Sequence, residues 1–389
     1  MAELSRLATH AREEGRIGID TEFMPEGRYR PLLCLVQVAV GDEIAVLDPL
    51  RDALGDPAPL AAVLADPEVE VVLHAGRQDV AILRRAWSTT FANVFDTQVA
   101  AGFAGFSAQA GYTGLLHDLL RIRLAKSASF TRWDARPLTR EQLRYAREDV
   151  EHLLPLADEL QRRLSERGRL EWAREECAAV AESSDERVPE EAWRRLPRVA
   201  GLDARGRAIA RELAAWRERT AAAEDRPVGA VVRDPTLVEL AKRAPTSNRE
   251  LGQIRGAGPD LVRRRARDIL AAVERGREAP PVRLDEGDRL ASEAVDGPTI
   301  ALAEALVRAR AQEAGLAYEL IAARADLAPV VVAARRALPE PDVRTLRGWR
   351  RELVGAELLE LLAGRRTLGV VKGRVTVSPG DGWPDDPRS

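Results

Sequence analysis

The stretch Gly18–Phe23 contains two acidic residues, Asp20 and Glu22, that are separated by a single position. This stretch is typical of a short β-strand, in which side chains two positions apart point to the same face. The carboxylates of Asp20 and Glu22 then repel each other unless a cation lies between them. Because both side chains offer only oxygen atoms, a hard divalent cation such as Mg²⁺ or Mn²⁺ is favoured. The alternative is a polar strand edge that faces water.

Three further residues extend this pattern along the chain. The apolar run Val69–His74 predicts a second strand, and Gly76 permits a tight turn into a helix that carries Asp79 in its first turns. Tyr145 and Asp149 are four positions apart on a predicted helix and therefore lie on one face. Four carboxylates and a tyrosine in this order predict a metal centre. The alternatives are that Asp79 complements a helix N-terminus and that Tyr145 is a half-buried core residue.

These motifs resemble those of the ribonuclease D family, 3′→5′ exonucleases with four acidic metal ligands and a tyrosine on a ribonuclease-H-like fold. The matching segments are Ile19–Phe23, Leu35–Val38, His74–Asp79, Phe95–Gln98 and Arg136–Asp149. One triplet departs from the family, because Thr131-Arg132-Trp133 stands where Ser-Asp-Trp is usual. This departure leaves the acids intact but alters the substrate contacts expected of that loop.

The resemblance implies a metal-dependent 3′→5′ exoribonuclease that trims the 3′ ends of tRNA precursors and other small RNAs and releases nucleoside 5′-monophosphates. By the same resemblance, Asp20 bridges two Mg²⁺ or Mn²⁺ ions, Glu22 and Asp149 complete the site of the attacking water, and Asp79 serves the second ion. Tyr145 orients the water, because its ordinary pKa of about 10 makes it a poor base near neutral pH. The alternatives are a DNA exonuclease of the same fold and a non-catalytic RNA-binding module.

Six residues are candidates to contact the RNA end: Thr21, Phe23, Gln37, His74, Lys126 and Arg136. Phe23 offers a ring on which a terminal base can stack, although packing is the default for Phe23 and Gln37. His74 ends a strand near the acids, where it contacts the scissile phosphate or is a satisfied buried histidine. Lys126 and Arg136 belong to a polar loop that suits a single-stranded backbone, with a solvated loop as the alternative.

Two other polar features have competing interpretations. Asp96 follows an apolar pair at a strand end, where a helix cap is favoured over a fifth metal ligand. The basic run Arg263–Arg267 is a candidate phosphate-contacting patch, with a solvated helix face as the alternative.

Composition places limits on the remaining possibilities. The 389 residues carry a formal net charge of −3, so the chain as a whole lacks a basic footprint and any nucleic-acid contact depends on local patches. The two cysteines, Cys34 and Cys177, provide neither a disulfide framework nor zinc-ligand spacing and fit a reducing cytoplasm. No segment resembles a signal peptide or a membrane span, and no obligate protein partner is evident.

The predicted fold class is an α/β ribonuclease-H-like exonuclease domain, a mixed sheet flanked by helices, followed by two all-α bundles that resemble HRDC domains. The predicted bounds are 1–178 for the exonuclease, 179–188 for a linker, 189–278 for the first HRDC domain, 279–296 for a second linker, 297–370 for an HRDC-like domain and 371–389 for a disordered tail. No strand is predicted beyond residue 187, and the exonuclease domain is expected to fold without the rest.

Local patterns predict most elements of the first domain. Residues 32–40 and 43–47 are expected to form an antiparallel meander with the acid-bearing strand, and residues 69–74 a strand parallel to it. Thr139 and Gln142 form a capping box for a helix that continues past Asp149 through Leu160. In the helical half, Asp234 and Ser247 are predicted helix N-caps.

Overall fold

The computed structural model describes residues 2–51, 55–124, 132–283 and 292–380, and its first domain is built on a five-stranded mixed sheet. The strands are β1 (Arg16–Met24), β2 (Leu32–Val40), β3 (Glu43–Leu47), β4 (Glu70–Leu73) and β5 (Val94–Asp96), in the order β3-β2-β1-β4-β5. The first three are antiparallel, whereas β4 pairs parallel with both β1 and β5. The acid-bearing strand β1 is therefore central, and the predicted meander and parallel crossover are confirmed.

Helices cover both faces of this sheet. They are α1 (Ala2–Glu14), α2 (Ala58–Leu64), α3 (Arg77–Trp87), α4 (Thr97–Phe103), α5 (Tyr112–Leu115, continued by a π-helical turn over Leu116–Leu120), α6 (Arg140–Glu151), α7 (Leu153–Glu166) and α8 (Leu170–Ala181). Ile17 and Ile19 of β1 point into a core with Leu4 and Leu7 of α1. A Cβ at Gly18, on the opposite face, would meet Leu153 of α7. Asp20 and Glu22 share the Gly18 face by strand periodicity and thus lie under α6 and α7.

The helix that carries Tyr145 and Asp149 begins as predicted but ends early. Thr139 accepts a hydrogen bond from the Gln142 backbone, and the Gln142 side chain accepts one from the Thr139 backbone, so the capping box is confirmed. The expectation of one continuous helix to Leu160 is wrong, because the backbone of His152 leaves the helical region (φ −113°, ψ 11°). The break separates α6, which carries the tyrosine and the acid, from α7, and both helices pack on the sheet.

The second half is mainly helical, as predicted. In the described residues, the α-helices of this half are α9 (Ala204–Ala223), α10 (Val228–Val231), α11 (Asp234–Arg243), α12 (Asn248–Gly252), α13 (Pro259–Glu278), α14 (Gly297–Ala314), α15 (Tyr318–Ile321), α16 (Arg324–Arg335), α17 (Gly348–Arg350) and α18 (Ala356–Leu362). Ser247 caps α12 by accepting from the Glu250 backbone, as predicted. Asp234 is not the cap of α11: it is the first residue of that helix, and its carboxylate accepts a 2.6 Å hydrogen bond from Arg217.

A β-hairpin lies near the C-terminal end. The strands β6 (Arg366–Val371) and β7 (Arg374–Pro379) pair antiparallel, so the expectation of no strand beyond residue 187 is wrong. The predicted disordered tail from residue 371 is corrected in the same way, because residues 374–379 pair with β6, while residues 381–389 lie outside the described part. Val375, Thr376 and Val377 of β7 are residue types that are enriched in strands. The helix α8 also extends to Ala181, three residues into the predicted linker.

Both helical regions pack against the exonuclease domain. Trp349 of α17 stacks on Trp172 of α8 at 5.3 Å between ring centroids and meets Phe103 of α4 edge-on at 5.0 Å. Tyr29, from the loop between β1 and β2, is buried in the core of the first bundle. These contacts join both helical regions to the exonuclease domain, while its folding without them stays a prediction. Among the described helices, none combines the length and apolar character that a bilayer crossing requires.

Candidate active site

Three carboxylates converge where β1 passes under α6. One oxygen each from Asp20, Glu22 and Asp149 lies within 4.8 Å of the other two. The strand contributes the first two acids from one face, and the helix contributes the third. A register shift between Glu22 and Phe23 interrupts the pairing of β1 with β2, which continues with Phe23 opposite Leu33. The predicted grouping of these three acids is thus present in the structure.

Asp79 joins the cluster from the start of α3, as predicted. It lies in the first turn of that helix, and its Oδ1 accepts a hydrogen bond from the hydroxyl of Thr21. Its charge raises the pKa of both Asp20 and Glu22, although among the described residues Asp79 does not belong to the group whose oxygens lie within 4.8 Å of one another. Thr21 was a candidate for RNA contact, but its buried hydroxyl holds Asp79 instead.

The turn that delivers Asp79 is held by Asp96. The Asp96 carboxylate accepts hydrogen bonds from the backbone amides of Ala75 (3.2 Å) and Gly76 (2.8 Å) and also caps α4. The cap interpretation of Asp96 is therefore confirmed. Gly76 has φ −77°, and the left-handed residue of the turn is Ala75 at φ 56°. Glycine is needed at 76 for space, since a Cβ there would lie 2.7 Å from the Cβ of Leu73.

Burial and the charges of neighbouring acids raise the pKa values of all four carboxyl groups. Burial, followed by the charges of Asp149 and Asp79, raises the pKa of Glu22 to about 8. Burial raises the pKa of Asp149 to about 7 and that of Asp79 to about 6, the latter opposed by the Thr21 hydrogen bond. Burial and the three neighbouring acids raise the pKa of Asp20 well above its ordinary value. A carboxylate cluster that resists ionisation by itself is a site that a cation stabilises.

The donor set fits a hard divalent cation. All the grouped ligand atoms are carboxylate oxygens, which suit Mg²⁺ or Mn²⁺, and no histidine or cysteine belongs to the grouped ligands among the described residues. Among the described residues, no Lys, Arg or His side chain forms an ion pair with Asp20, Glu22 or Asp149, and the largest causes of their raised pKa values are burial and neighbouring acids.

Tyr145 lies one helical turn before Asp149 and is half-buried. Its ring is 6.1 Å from the ring of Trp133, and both belong to a small core with Cys34 and Leu35. Burial, followed by the charges of Asp149 and Glu22, raises the pKa of Tyr145 above its ordinary value. The hydroxyl therefore stays protonated and is suited to orient a water molecule, not to remove its proton.

His74 is anchored beside the acids by polar and aromatic contacts. Its Nδ1 lies 2.9 Å from the Thr97 hydroxyl, and its ring centroid is 5.6 Å from that of Tyr112. Burial lowers the pKa of His74. These contacts favour the satisfied-histidine interpretation, while a contact with the scissile phosphate stays a prediction.

Tyr112 is a residue of the site that the motifs did not indicate. Its hydroxyl oxygen is buried near the backbone of His152, and the charges of Asp149 and Asp20 act on it. It stands at the start of a short helix, 37 positions before Asp149, without a recognisable motif around it. Only the fold brings it to the acids.

The two candidates for contact with the terminal nucleotide differ in exposure. Phe23 is partly exposed and packs against the core on the α1 side, so stacking on a base stays a prediction. Gln37 is fully buried, with 0 % of its surface exposed. The predicted direct contact of Gln37 with RNA is therefore not supported, because no atom of its side chain reaches the surface.

Arg136 has a structural role in the loop before α6. Its guanidinium makes hydrogen bonds of 2.7 Å and 2.6 Å to the two carboxylate oxygens of Asp48 and donates to the carbonyls of Trp133 and Cys34. These contacts occupy the group that was predicted to hold RNA, so that prediction is not supported. Lys126 lies outside the described residues.

Two family models match the chain. The model described as a 3′-5′ exonuclease matches residues 1–165, and the model described as an HRDC domain matches residues 206–273. The first match contains all four acids and Tyr145, and the second lies within the bounds predicted for the first helical domain. The finer domain bounds and the second HRDC-like copy stay predictions.

The similarity to known proteins extends over nearly the whole chain. Ribonuclease D of Acidiphilium cryptum is 38 % identical over 96 % of this chain and 94 % of its own length. Ribonuclease D of Gluconacetobacter diazotrophicus is 37 % identical over 97 % of this chain and 95 % of its own length. The crystal structure of Escherichia coli RNase D, described as an exoribonuclease involved in structured RNA processing, has a TM-score of 0.82 at 30 % identity, covering 93 % of this chain and 96 % of that one.

A more distant structure supports the fold alone. The catalytic core of RRP6 from Trypanosoma brucei has a TM-score of 0.54 at 23 % identity and covers 71 % of this chain and 77 % of that one.

Proposed function

Because the chain belongs to the ribonuclease D family and is a 3′→5′ exoribonuclease, we propose that it trims 3′ trailers from tRNA precursors and other small structured RNAs. The products are nucleoside 5′-monophosphates. The convergence of Asp20, Glu22 and Asp149 within 4.8 Å is the observation that carries the proposal, since hydrolysis of a phosphodiester by this family depends on metal ions.

The acids hold two divalent cations, Mg²⁺ or Mn²⁺. Asp20, Glu22 and Asp149 form the grouped ligand set. Asp79, whose carboxylate accepts a hydrogen bond from Thr21, is the fourth acid. When bound, such ions supply an activated water and stabilise the leaving 3′-oxygen. The raised pKa values of all four acids support this assignment, because a bound cation offsets both the cost of burying the charged carboxylates and the repulsion from neighbouring acids.

Tyr145 orients the attacking water. The protonated hydroxyl, held by the packing of its ring near Trp133, is four residues from Asp149 on the same helix. Phe23, at the end of β1, offers a partly exposed ring for the terminal base. The protein works in the cytoplasm, where Cys34 and Cys177 remain free thiols, and needs no obligate protein partner.

The first helical domain binds the structured part of the RNA through a basic groove. This groove has a volume of about 1230 Å³ and is lined by five cationic side chains and one acid: Arg198, Arg233, Lys242, Arg243, Arg255 and Glu239. Arg243 pairs with Glu239, but the other four cations are exposed and have no ion-pair partner among the described residues. Unpaired cations are those that phosphates can engage.

The run Arg263–Arg267 is a poorer candidate for the same role. Arg263 pairs with Asp260 at 2.6 Å, and Arg265 pairs with Glu224, so half of its four arginines are already neutralised. A double variant, Arg233→Ala with Lys242→Ala, is therefore expected to weaken binding of structured RNA and to lower its salt dependence. Arg263→Ala is the matched control and should change neither.

The substrate assignment is tested with three 5′-labelled molecules: a tRNA precursor with a short 3′ trailer, an unstructured RNA and a DNA of the trailer sequence. In Mg²⁺ or Mn²⁺, a descending ladder that stops at the mature tRNA end is expected, and a 3′-phosphate should block it. Faster degradation of the DNA would favour the DNA exonuclease. Loss of the mature tRNA body at the rate of the trailer would overturn the processing role.

A further inference from the structure

Gln37 occupies the register position opposite Asp20. The two residues are direct Cα partners in the antiparallel pair β1–β2, and partners of this kind point to the same face of the sheet. Their Cβ atoms are therefore about 4.5–5.5 Å apart. Gln37 thus shares a face with Asp20 and Glu22, directly beneath the helix that carries Asp149.

The amide of Gln37 is buried and has no partner. The residue is 0 % exposed, and neither Nε2 nor Oε1 makes a hydrogen bond with any described protein atom. Because both atoms are unpartnered, exchanging the nitrogen and oxygen assignments does not change this result. A buried polar group without a partner costs about 1–3 kcal/mol. Its neighbours on the same face, Leu35 and Ala39, are apolar and pay no such penalty.

Unpartnered polar atoms are concentrated at this site. In the described part of the chain, five buried side-chain nitrogen or oxygen atoms lack a partner, and three of them belong to Gln37 and Tyr112. The other two are single nitrogens of Arg16 and Arg217, whose guanidinium groups are otherwise ion-paired. Gln37 is thus the described side chain that contributes two of these five atoms, and it stands next to the acid that has three acidic neighbours.

We propose that Gln37 is a positioning residue for Asp20, with its amide nitrogen donating to the Asp20 carboxylate in the cation-loaded enzyme. Its carbonyl oxygen accepts from a water molecule of the same loaded site. Gln37 acts through Asp20 because its own side chain is too deeply buried to touch RNA. This inference rests on the proposed function, since it requires that Asp20 bind a cation. Partners of ligating residues typically contribute 10–100-fold to metal affinity.

The test compares Gln37→Leu and Gln37→Met with wild type in the full-length protein. Both variants keep most of the volume and remove the unpartnered polar atoms, so the metal-free protein should melt at the wild-type temperature or above it. Mn²⁺ affinity, measured by titration calorimetry, is expected to fall about 10-fold or more. Turnover should fall while KM for RNA stays unchanged. The control is Gln161→Leu on α7, which removes an amide that donates a 2.8 Å hydrogen bond to Glu70. This variant should have a lower melting temperature and an unchanged Mn²⁺ affinity.

Three outcomes separate the inference from the proposed function. Wild-type Mn²⁺ affinity and turnover in a folded Gln37→Met variant would overturn the role of Gln37, while loss of Mn²⁺ binding in Asp149→Asn would leave the metal site standing. A wild-type protein that binds no Mn²⁺ would overturn the metal site itself and the inference with it. If both Gln37 variants lose stability in the metal-free state together with Mn²⁺ affinity, Gln37 is a packing residue. That result would also overturn its positioning role.

Discussion

The hydroxyl of Tyr29 donates a 2.7 Å hydrogen bond to Glu218, which joins the loop after the acid-bearing strand to the first helical domain. Both residues are buried, and the guanidinium of Arg187 lies 4.9 Å from the Tyr29 ring centroid and 3.7 Å from Glu218. Tyr29 is five positions after Met24, the last residue of β1. The first helical domain, which was expected to follow a linker, is therefore held close to the active site by a hydrogen bond.

Tyr29→Phe should destabilise the first helical domain. The substitution keeps the ring but leaves the buried Glu218 carboxylate with only the Arg187 contact. A hydrogen bond to a charged group contributes about 1.5–3 kcal/mol, and a loss of that size in denaturant unfolding is expected. Unchanged stability would show that the two domains are not held together by this bond.

Each of the four acids should be essential for hydrolysis. Asp20→Asn, Glu22→Gln, Asp79→Asn and Asp149→Asn are each expected to abolish nearly all exonuclease activity and to leave the circular dichroism spectrum unchanged. The physical reason is that the four carboxylates bind the cations jointly, so that the loss of one carboxylate disrupts the binding of both cations. Asp118→Asn, at an exposed position, is the control and should retain full activity. Full activity in Asp149→Asn is the result that contradicts the assignment.

Metal-free stability should depend on pH through the acid cluster. Folding raises the pKa of Glu22 from 4.5 to about 8, so the folded state binds this proton more tightly than the unfolded state. The wild-type protein therefore loses stability from this group as pH rises through that interval, and the loss is absent below pH 4.5. Glu22→Gln does not titrate, so its melting temperature relative to wild type should increase between pH 5 and 8.

The measurement is a series of thermal melts in a chelating buffer. Glu141→Gln, an exposed position on α6, is the control and should follow the wild type at every pH. A constant difference between Glu22→Gln and wild type from pH 5 to 8 would contradict the raised pKa. Mn²⁺ added in excess over the chelator should narrow the difference in melting temperature at high pH, because the cation relieves the repulsion in the wild type.

Tyr145→Phe should separate water orientation from packing. The ring that packs near Trp133 is retained, so the melting temperature should change little. Loss of the hydroxyl should lower turnover roughly 10²-fold or more with little change in RNA affinity, because the hydroxyl acts on water and not on the substrate. Wild-type turnover with a lowered melting temperature would instead identify Tyr145 as a core residue.

Trp349→Ala should loosen the second helical region from the exonuclease domain. Trp349 stacks on Trp172, and its indole nitrogen donates a 3.3 Å hydrogen bond to Glu176, so the substitution leaves a cavity between the two units. A loss of about 3–5 kcal/mol in denaturant unfolding is expected. Val370→Ala, at a side chain that is 72 % exposed, should stay within about 0.5 kcal/mol of wild type. Equal effects of the two substitutions would argue against a shared core.

Local periodicity alone determined the acid pair, the helical pair and the capping box. Asp20 and Glu22 share a face because strands alternate, and Tyr145 and Asp149 share one because α-helices repeat every 3.6 residues. Thr139 and Gln142 make the capping box through bonds that span only three positions. The motifs built on them therefore allowed the family resemblance, and with it the fold class, to be predicted from the chain alone.

Other features depended on which faces meet in the folded protein. Asp149 lies close to Asp20, which is 129 positions away in the chain, and Arg136 binds Asp48, which is 88 positions away. Trp349 packs in a core that also contains residues of the first domain. The break at His152 and the unpartnered amide of Gln37 likewise depend on what packs around them. Periodicity determines the direction in which a side chain points. Which residue it contacts depends on how the whole chain buries its apolar surface, and that arrangement exists only in the tertiary structure.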